Sequence, residues 1–132
     1  MRFVYELTIP KATAKTAPTV SKVALVKGRL INIEVAFPPG PATLVHVVIE
    51  DGSFQIVPVN RDADMAWDDF TMVIPMRYSL SEVGHELRLV GWSPGTTFEH
   101  KITFRFDVEP EGDDDERSMI QLLFGSGPRP QG

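Results

Sequence analysis

Cysteine is absent from the 132 residues. That absence excludes disulfides, thiol catalysis and cysteine-based zinc or iron–sulfur sites. It does not fix the compartment. Long apolar runs are also missing, and none approaches the roughly 18 residues of a membrane span. The opening Met1-Arg2-Phe3-Val4-Tyr5-Glu6 lacks the apolar region of a secretion signal, so synthesis in the cytoplasm and no membrane partner are expected. Histidine is sparse: His46, His85 and His100 show neither HxH nor HExxH spacing. There is no GxSxG and no glycine-rich phosphate loop. Basic residues are few and no aromatic ones interleave with them, which argues against a nucleic-acid partner. These gaps together predict a protein that is not an enzyme and holds no cofactor.

What is there is an ordinary globular composition, 42% hydrophobic and 23% charged. A chain of this length suits one domain and can bury a core without staples. The net charge of −5 is unevenly spread. Residues 1–30 carry Arg2, Lys11, Lys15, Lys22, Lys27 and Arg29 against Glu6 alone. Residues 109–132 carry Glu109, Glu111, Asp113, Asp114, Asp115 and Glu116 against Arg117 and Arg129. The ordinary reading of such a tail is a solvated charge run. The alternative is docking on the basic N-terminal region of another copy, or folding back on its own.

Residue alternation at the strand period dominates 1–108. Phe3, Tyr5, Leu7 and Ile9 fall on one face of a first strand, which Pro10 ends. Val20 to Val26 suggests a second, closed by Lys27-Gly28. In the third, Ile31, Ile33, Val35 and Phe37 alternate with Asn32, Glu34 and Ala36, giving one wet face. Phe37-Pro38-Pro39-Gly40-Pro41 must then turn, because neither adjacent prolines nor glycine continues a ladder. The fourth, Thr43 to Glu50, has apolar groups on both faces and reads as a covered central strand. Asp51-Gly52 signals a hairpin into a fifth strand. Phe70 to Met76 is a sixth, with Tyr78 to Gly84 a connection or a turn of helix. A seventh includes Leu87 and Leu89, and an eighth carries Phe98, His100, Ile102, Phe104, Phe106 and Val108. Pro58 and Pro75, inside strand-like runs, predict edges or bulges.

About eight short strands without a normal helix predict an all-β fold: two antiparallel sheets face to face, with odd-numbered residues of the early strands filling the interface. A jelly roll fits eight strands best, with an immunoglobulin-like sandwich as the alternative. The domain is expected over 1–108. Beyond it, Asp113 or Asp114 is placed to cap a short helix ending at Gly125. Met119, Leu122 and Leu123 would share one face of it, beside Ile120 and Phe124. That apolar surface packs either on its own sandwich or as an arm on a neighbouring subunit, so these five residues are candidate oligomer contacts.

Three aromatic residues are candidates for stacking a sugar: Trp67 and Trp92, in or beside loops, and Tyr78. The alternative is a packing role at the ends of the sandwich. Asp62, Asp64, Asp68 and Asp69 resemble a calcium loop only in charge, for the EF-hand pattern and its glycine are missing. His46 and His100 could meet across a sheet, although hydrogen-bonded structural roles are the simpler expectation.

The stretches Gly28-Arg29-Leu30-Ile31 through Phe37-Pro38-Pro39-Gly40, then Leu44-Val45 and Gln55-Ile56-Val57-Pro58-Val59-Asn60, resemble small single-domain β-sandwich proteins of phage and environmental viral sequences. Gly91-Trp92-Ser93-Pro94-Gly95-Thr96-Thr97-Phe98-Glu99-His100-Lys101-Ile102 resembles the closing hairpin of that group. The resemblance covers most of 28–108 and implies a virion structural or accessory role, as a capsid, decoration or tail-associated protein. The expected partners are other copies of the chain or a particle protein, with carbohydrate as the alternative ligand. The expected location is the virion or, alternatively, the cytoplasm.

Overall fold

In a computed structural model, residues 1–111 are described, and all eight elements among them are strands. They are β1 (Arg2–Ile9), β2 (Thr19–Leu25), β3 (Gly28–Phe37), β4 (His46–Asp51), β5 (Phe54–Val57), β6 (Phe70–Leu80), β7 (His85–Trp92) and β8 (His100–Pro110). One sheet has the order β1-β8-β3-β6 and the other β2-β7-β4-β5, all pairings antiparallel. Every connection except the β4–β5 hairpin crosses from one sheet to the other. That winding is the jelly roll. The expected C-terminal helix, with Met119, Ile120, Leu122, Leu123 and Phe124, lies outside the described residues.

Alternation places the core. Leu7, Ile9, Ile33, Val35, Ile102, Phe104 and Phe106 from the first sheet meet Val23, Leu25, Val47, Ile49, Leu87 and Leu89 from the second, all almost fully buried. Burying each of these side chains contributes about 1.5–3 kcal/mol. The covered character of β4 has a local cause. Val47 and Ile49 face the core, whereas Val48 packs with Val90 and Trp92 in a small cluster on the outer face. The Phe37-Pro38-Pro39-Gly40 turn does join two interior strands, one from each sheet.

Several boundaries differ from the sequence reading. Residues 42 and 43 take positive φ (51° and 62°) and Leu44 donates its N–H to the Pro41 carbonyl, so the turn lasts until β4 begins at His46. β6 does not stop at Met76. Tyr78, Ser79 and Leu80 continue it, because Gly28, Arg29 and Leu30 of β3 supply ladder partners. Ile31 is 37% exposed and Leu30 is buried, since a register irregularity between Leu30 and Asn32 turns Ile31 outward. Phe98 lies before β8 and is 74% exposed. His46 and His100 stand in different sheets and do not pair. Pro75 sits in an edge strand, as a residue without a ladder N–H requires, and Pro58 directly follows β5, an edge strand of the second sheet.

The two flanks of the sandwich are unlike. On the β1/β2 side, Tyr5 donates its hydroxyl to the Ala24 carbonyl and ties the sheets together. On the other side the edge strands are unequal: β5 has 4 residues and β6 has 11. The short strand cannot cover the long one, so Met72, Ile74 and Met76 of β6 stay only half buried.

Candidate functional site

One end of the sandwich gathers the loops that follow β1, β3, β5 and β7. Asp68, in the loop after β5, binds the turn after β3: its carboxylate accepts the backbone N–H groups of Gly40 (2.9 Å) and Ala42 (2.8 Å). Asp69 donates its N–H to the Pro38 carbonyl, and Met65 and Val47 exchange backbone bonds in an isolated bridge. Ser93 donates its backbone N–H to Thr13 and its hydroxyl to Pro10, joining the loops after β1 and β7. The loop end is therefore cross-linked by hydrogen bonds that satisfy its backbone.

On this frame Trp67 and Phe70 lie exposed, 43% and 49%, with ring centroids 5.1 Å apart and planes tilted by 42°. Phe98 and Leu44 are exposed on loops at the same end. Aromatic rings held on a rigid loop supply contact area at small entropic cost when a partner binds.

Trp92 behaves differently. It is 8% exposed; its indole lies parallel to the His46 ring, 5.7 Å between centroids, and Lys15 Nζ stands 5.4 Å from its centroid. His46 Nδ1 is 2.7 Å from an Asp64 carboxylate oxygen. Lys15, Glu50, Arg61, Asp64 and Trp92 line a cleft of about 220 Å³ on the outer face of the second sheet. Its charges are of both signs and Glu50 is already paired with Arg88 at 3.2 Å. The indole is committed to packing, with little ring left to stack a sugar.

Tyr78 belongs to the opposite end. It pairs with Leu30, whereas Phe70 pairs with Phe37, so some eight residues of strand, about 26 Å, separate Tyr78 from the Trp67–Phe70 pair. Its hydroxyl donates to the Asp51 carboxylate, which also receives His85 Nε2 at 2.9 Å. Ser81 donates its N–H to His85 Nδ1, so that nitrogen is the acceptor and Nε2 carries the proton. Trp67, Trp92 and Tyr78 thus occupy three separate settings and form no common platform.

Of the acidic loop residues, Asp64 binds His46 and Asp68 binds the turn after β3. Among the described residues no group of three or more histidine, aspartate or glutamate side chains is placed to hold a metal ion, and no helix is long and apolar enough to cross a membrane. The bracing role of Asp68 was not legible in the sequence, because its partners Gly40 and Ala42 stand 28 and 26 residues before it.

The outer face of the first sheet carries a charge network instead of an apolar patch. Arg2 reaches Asp107 (2.7 Å) and Glu34 (3.1 Å), Arg105 reaches Glu34 (3.4 Å), and Asn32 donates to Asp107 (3.1 Å). The Arg2 guanidinium, aided by Asn32, holds the Asp107 carboxyl below the usual carboxylate range against a smaller opposing effect of burial.

No protein-family model matches the chain, and no curated protein matches it.

Proposed function

We propose that this is a non-enzymatic structural protein that works by self-association or by binding a particle protein, as a capsid, decoration or tail-associated component of a virion. One observation carries the reading: Trp67, on a loop that Asp68 braces against the turn after β3, and Phe70, the first residue of β6, are displayed side by side. Tryptophan is among the residues enriched in the energetic centres of protein–protein contacts. The jelly roll and the viral resemblance of residues 28–108 supply the setting, a particle assembled in the host cytoplasm.

Light scattering on chromatographed protein over a range of concentrations tests it. Assemblies larger than the 14.7 kDa chain, reduced to monomer by Trp67→Ala together with Phe98→Ser, are expected. A monomer at every concentration sinks self-association. Carbohydrate binding is the second reading, favoured by the exposure of the Trp67 indole. A glycan array on which wild type and Trp67→Ala behave alike removes it.

A further inference from the structure

The half-covered flank between β5 and β6 forms a groove of about 260 Å³. Ile56, Val59, Met65, Met72, Ile74 and Met76 line it, with almost no polar surface. The groove opens between the free edges of the two sheets, where an extended or helical segment can lie along it. The sequence beyond the described residues holds one strongly apolar stretch, Met119-Ile120-Gln121-Leu122-Leu123-Phe124, behind the acidic run Asp113-Asp114-Asp115-Glu116.

The point of departure suits this groove. Glu111 donates its N–H to the Lys27 carbonyl, and its side chain is 3.3 Å from Lys27 Nζ. Pro110 pairs with Gly28, which pairs with Leu80 of β6. β6 therefore lies two strand spacings away, about 10 Å, and Met76 a further four residues along it, about 13 Å. Residues 112–118 can span up to about 26 Å before Met119, which is enough. Charge follows the same path. Arg29 and Arg77, both exposed, line a depression together with Glu109 and Glu111, where the acidic run begins. A charged stretch passing two arginines and then an apolar stretch reaching an apolar groove is the order in which the sequence presents them.

We propose that residues 119–124 seat in the β5/β6 groove of their own chain, with residues 113–116 passing over Arg29 and Arg77. A tethered segment meets its own groove at an effective concentration in the millimolar range, which favours it over a second copy in dilute solution. This latch is independent of the Trp67–Phe70 contact.

Two measurements on the full-length protein test it. The first compares amide hydrogen exchange in wild type and the Leu122→Asn, Leu123→Asn, Phe124→Ser variant. Residues 56–59 and 72–76 are expected to exchange on the order of tenfold faster in the variant. Equal exchange overturns the proposal. The second uses the cysteine-free background to introduce Met72→Cys with Leu123→Cys, oxidised at high dilution. A disulfide within one chain supports the latch. A disulfide between chains overturns it by placing a second copy's segment in the groove. Neither variant replaces Trp67 or Phe70, so light scattering on the same variants reads self-association through Trp67 separately from loss of the latch.

Discussion

Tyr78 and Asp51 join the two sheets at the end of the sandwich opposite the exposed aromatic pair. Tyr78 stands on β6 of one sheet and Asp51 on β4 of the other, and the phenol donates to the carboxylate. His85 supplies a second donor to the same carboxylate. The three side chains close this end much as the Asp68 bonds close the other.

The Tyr78 phenol is pushed up to about 12, first by burial and then by the hydrogen bond and charge of Asp51. An unfolded phenol titrates near 10. The neutral Tyr78 therefore contributes its full stabilisation below about pH 10, and loses it as pH rises from there through about 12. Near-ultraviolet absorbance should show a late tyrosine ionisation that Tyr78→Phe abolishes. Ionisation complete near pH 10 in the folded protein would contradict this. Tyr78→Phe should also cost about 1 kcal/mol at neutral pH, seen in urea unfolding.

The Asp107 carboxyl gives a dependence of the opposite sign. Its pKa is lowered in the fold by the Arg2 hydrogen bond above all. Its contribution is present above the unfolded value near pH 4 and is lost as pH falls below that. Arg2→Gln should flatten the dependence of the melting temperature on pH between 4 and 2, while leaving the fold intact. An unchanged acid profile in the variant would show that the pair adds nothing to acid stability.

The two tryptophans should separate cleanly. Trp92→Ala removes a buried ring together with its His46 and Lys15 neighbours' packing, at about 3 kcal/mol. Trp67→Ala removes a ring already 43% exposed and should cost less than about 1 kcal/mol. Denaturant unfolding measures both. Equal losses would mean that Trp67 is structural and would weaken its assignment as a contact residue.

Gly28 is the position least tolerant of a methyl group. Its φ is +156°, and an added Cβ would stand 2.1 Å from the Glu109 carbonyl oxygen and 2.9 Å from the Pro110 Cα. Both neighbours are backbone in the adjacent strand, so relief means breaking the β3–β8 ladder. Gly28→Ala should lose about 3 kcal/mol or more. Gly52→Ala, where nothing lies within 4 Å and φ is +62°, should lose only about 1 kcal/mol of backbone strain. A melting curve for each variant decides the comparison.

Much of the fold was legible in the residues themselves. Alternation located eight strands, the prolines at 58 and 75 marked two of the four edge strands, and Asp51-Gly52 marked the hairpin within the second sheet. Those features are local: a period of two, a missing N–H and a glycine turn act on their own neighbours. The end of β6 was not legible, because Tyr78-Ser79-Leu80 has no strong strand character until β3 offers it a ladder. Ile31 broke the pattern for the same kind of reason, a register irregularity against both neighbouring strands. The site was less visible still. His46 meets Asp64 only because the β4–β5 hairpin folds the chain back on itself, and Asp68 meets Gly40 only where two connections between the sheets run side by side.

The sequence by itself therefore determined the strands, the two-sheet class and the turn at Phe37-Pro38-Pro39-Gly40, since each depends on contacts within a few residues. Tertiary structure alone decided which aromatics remain free. Trp67 and Trp92 look alike in a sequence of loops and strands. Trp92 meets a parallel His46 ring from the neighbouring strand and is buried, whereas Trp67 tilts against Phe70 and stays 43% exposed. The same long-range assembly set a strand of 4 residues against one of 11 and left the groove between them open.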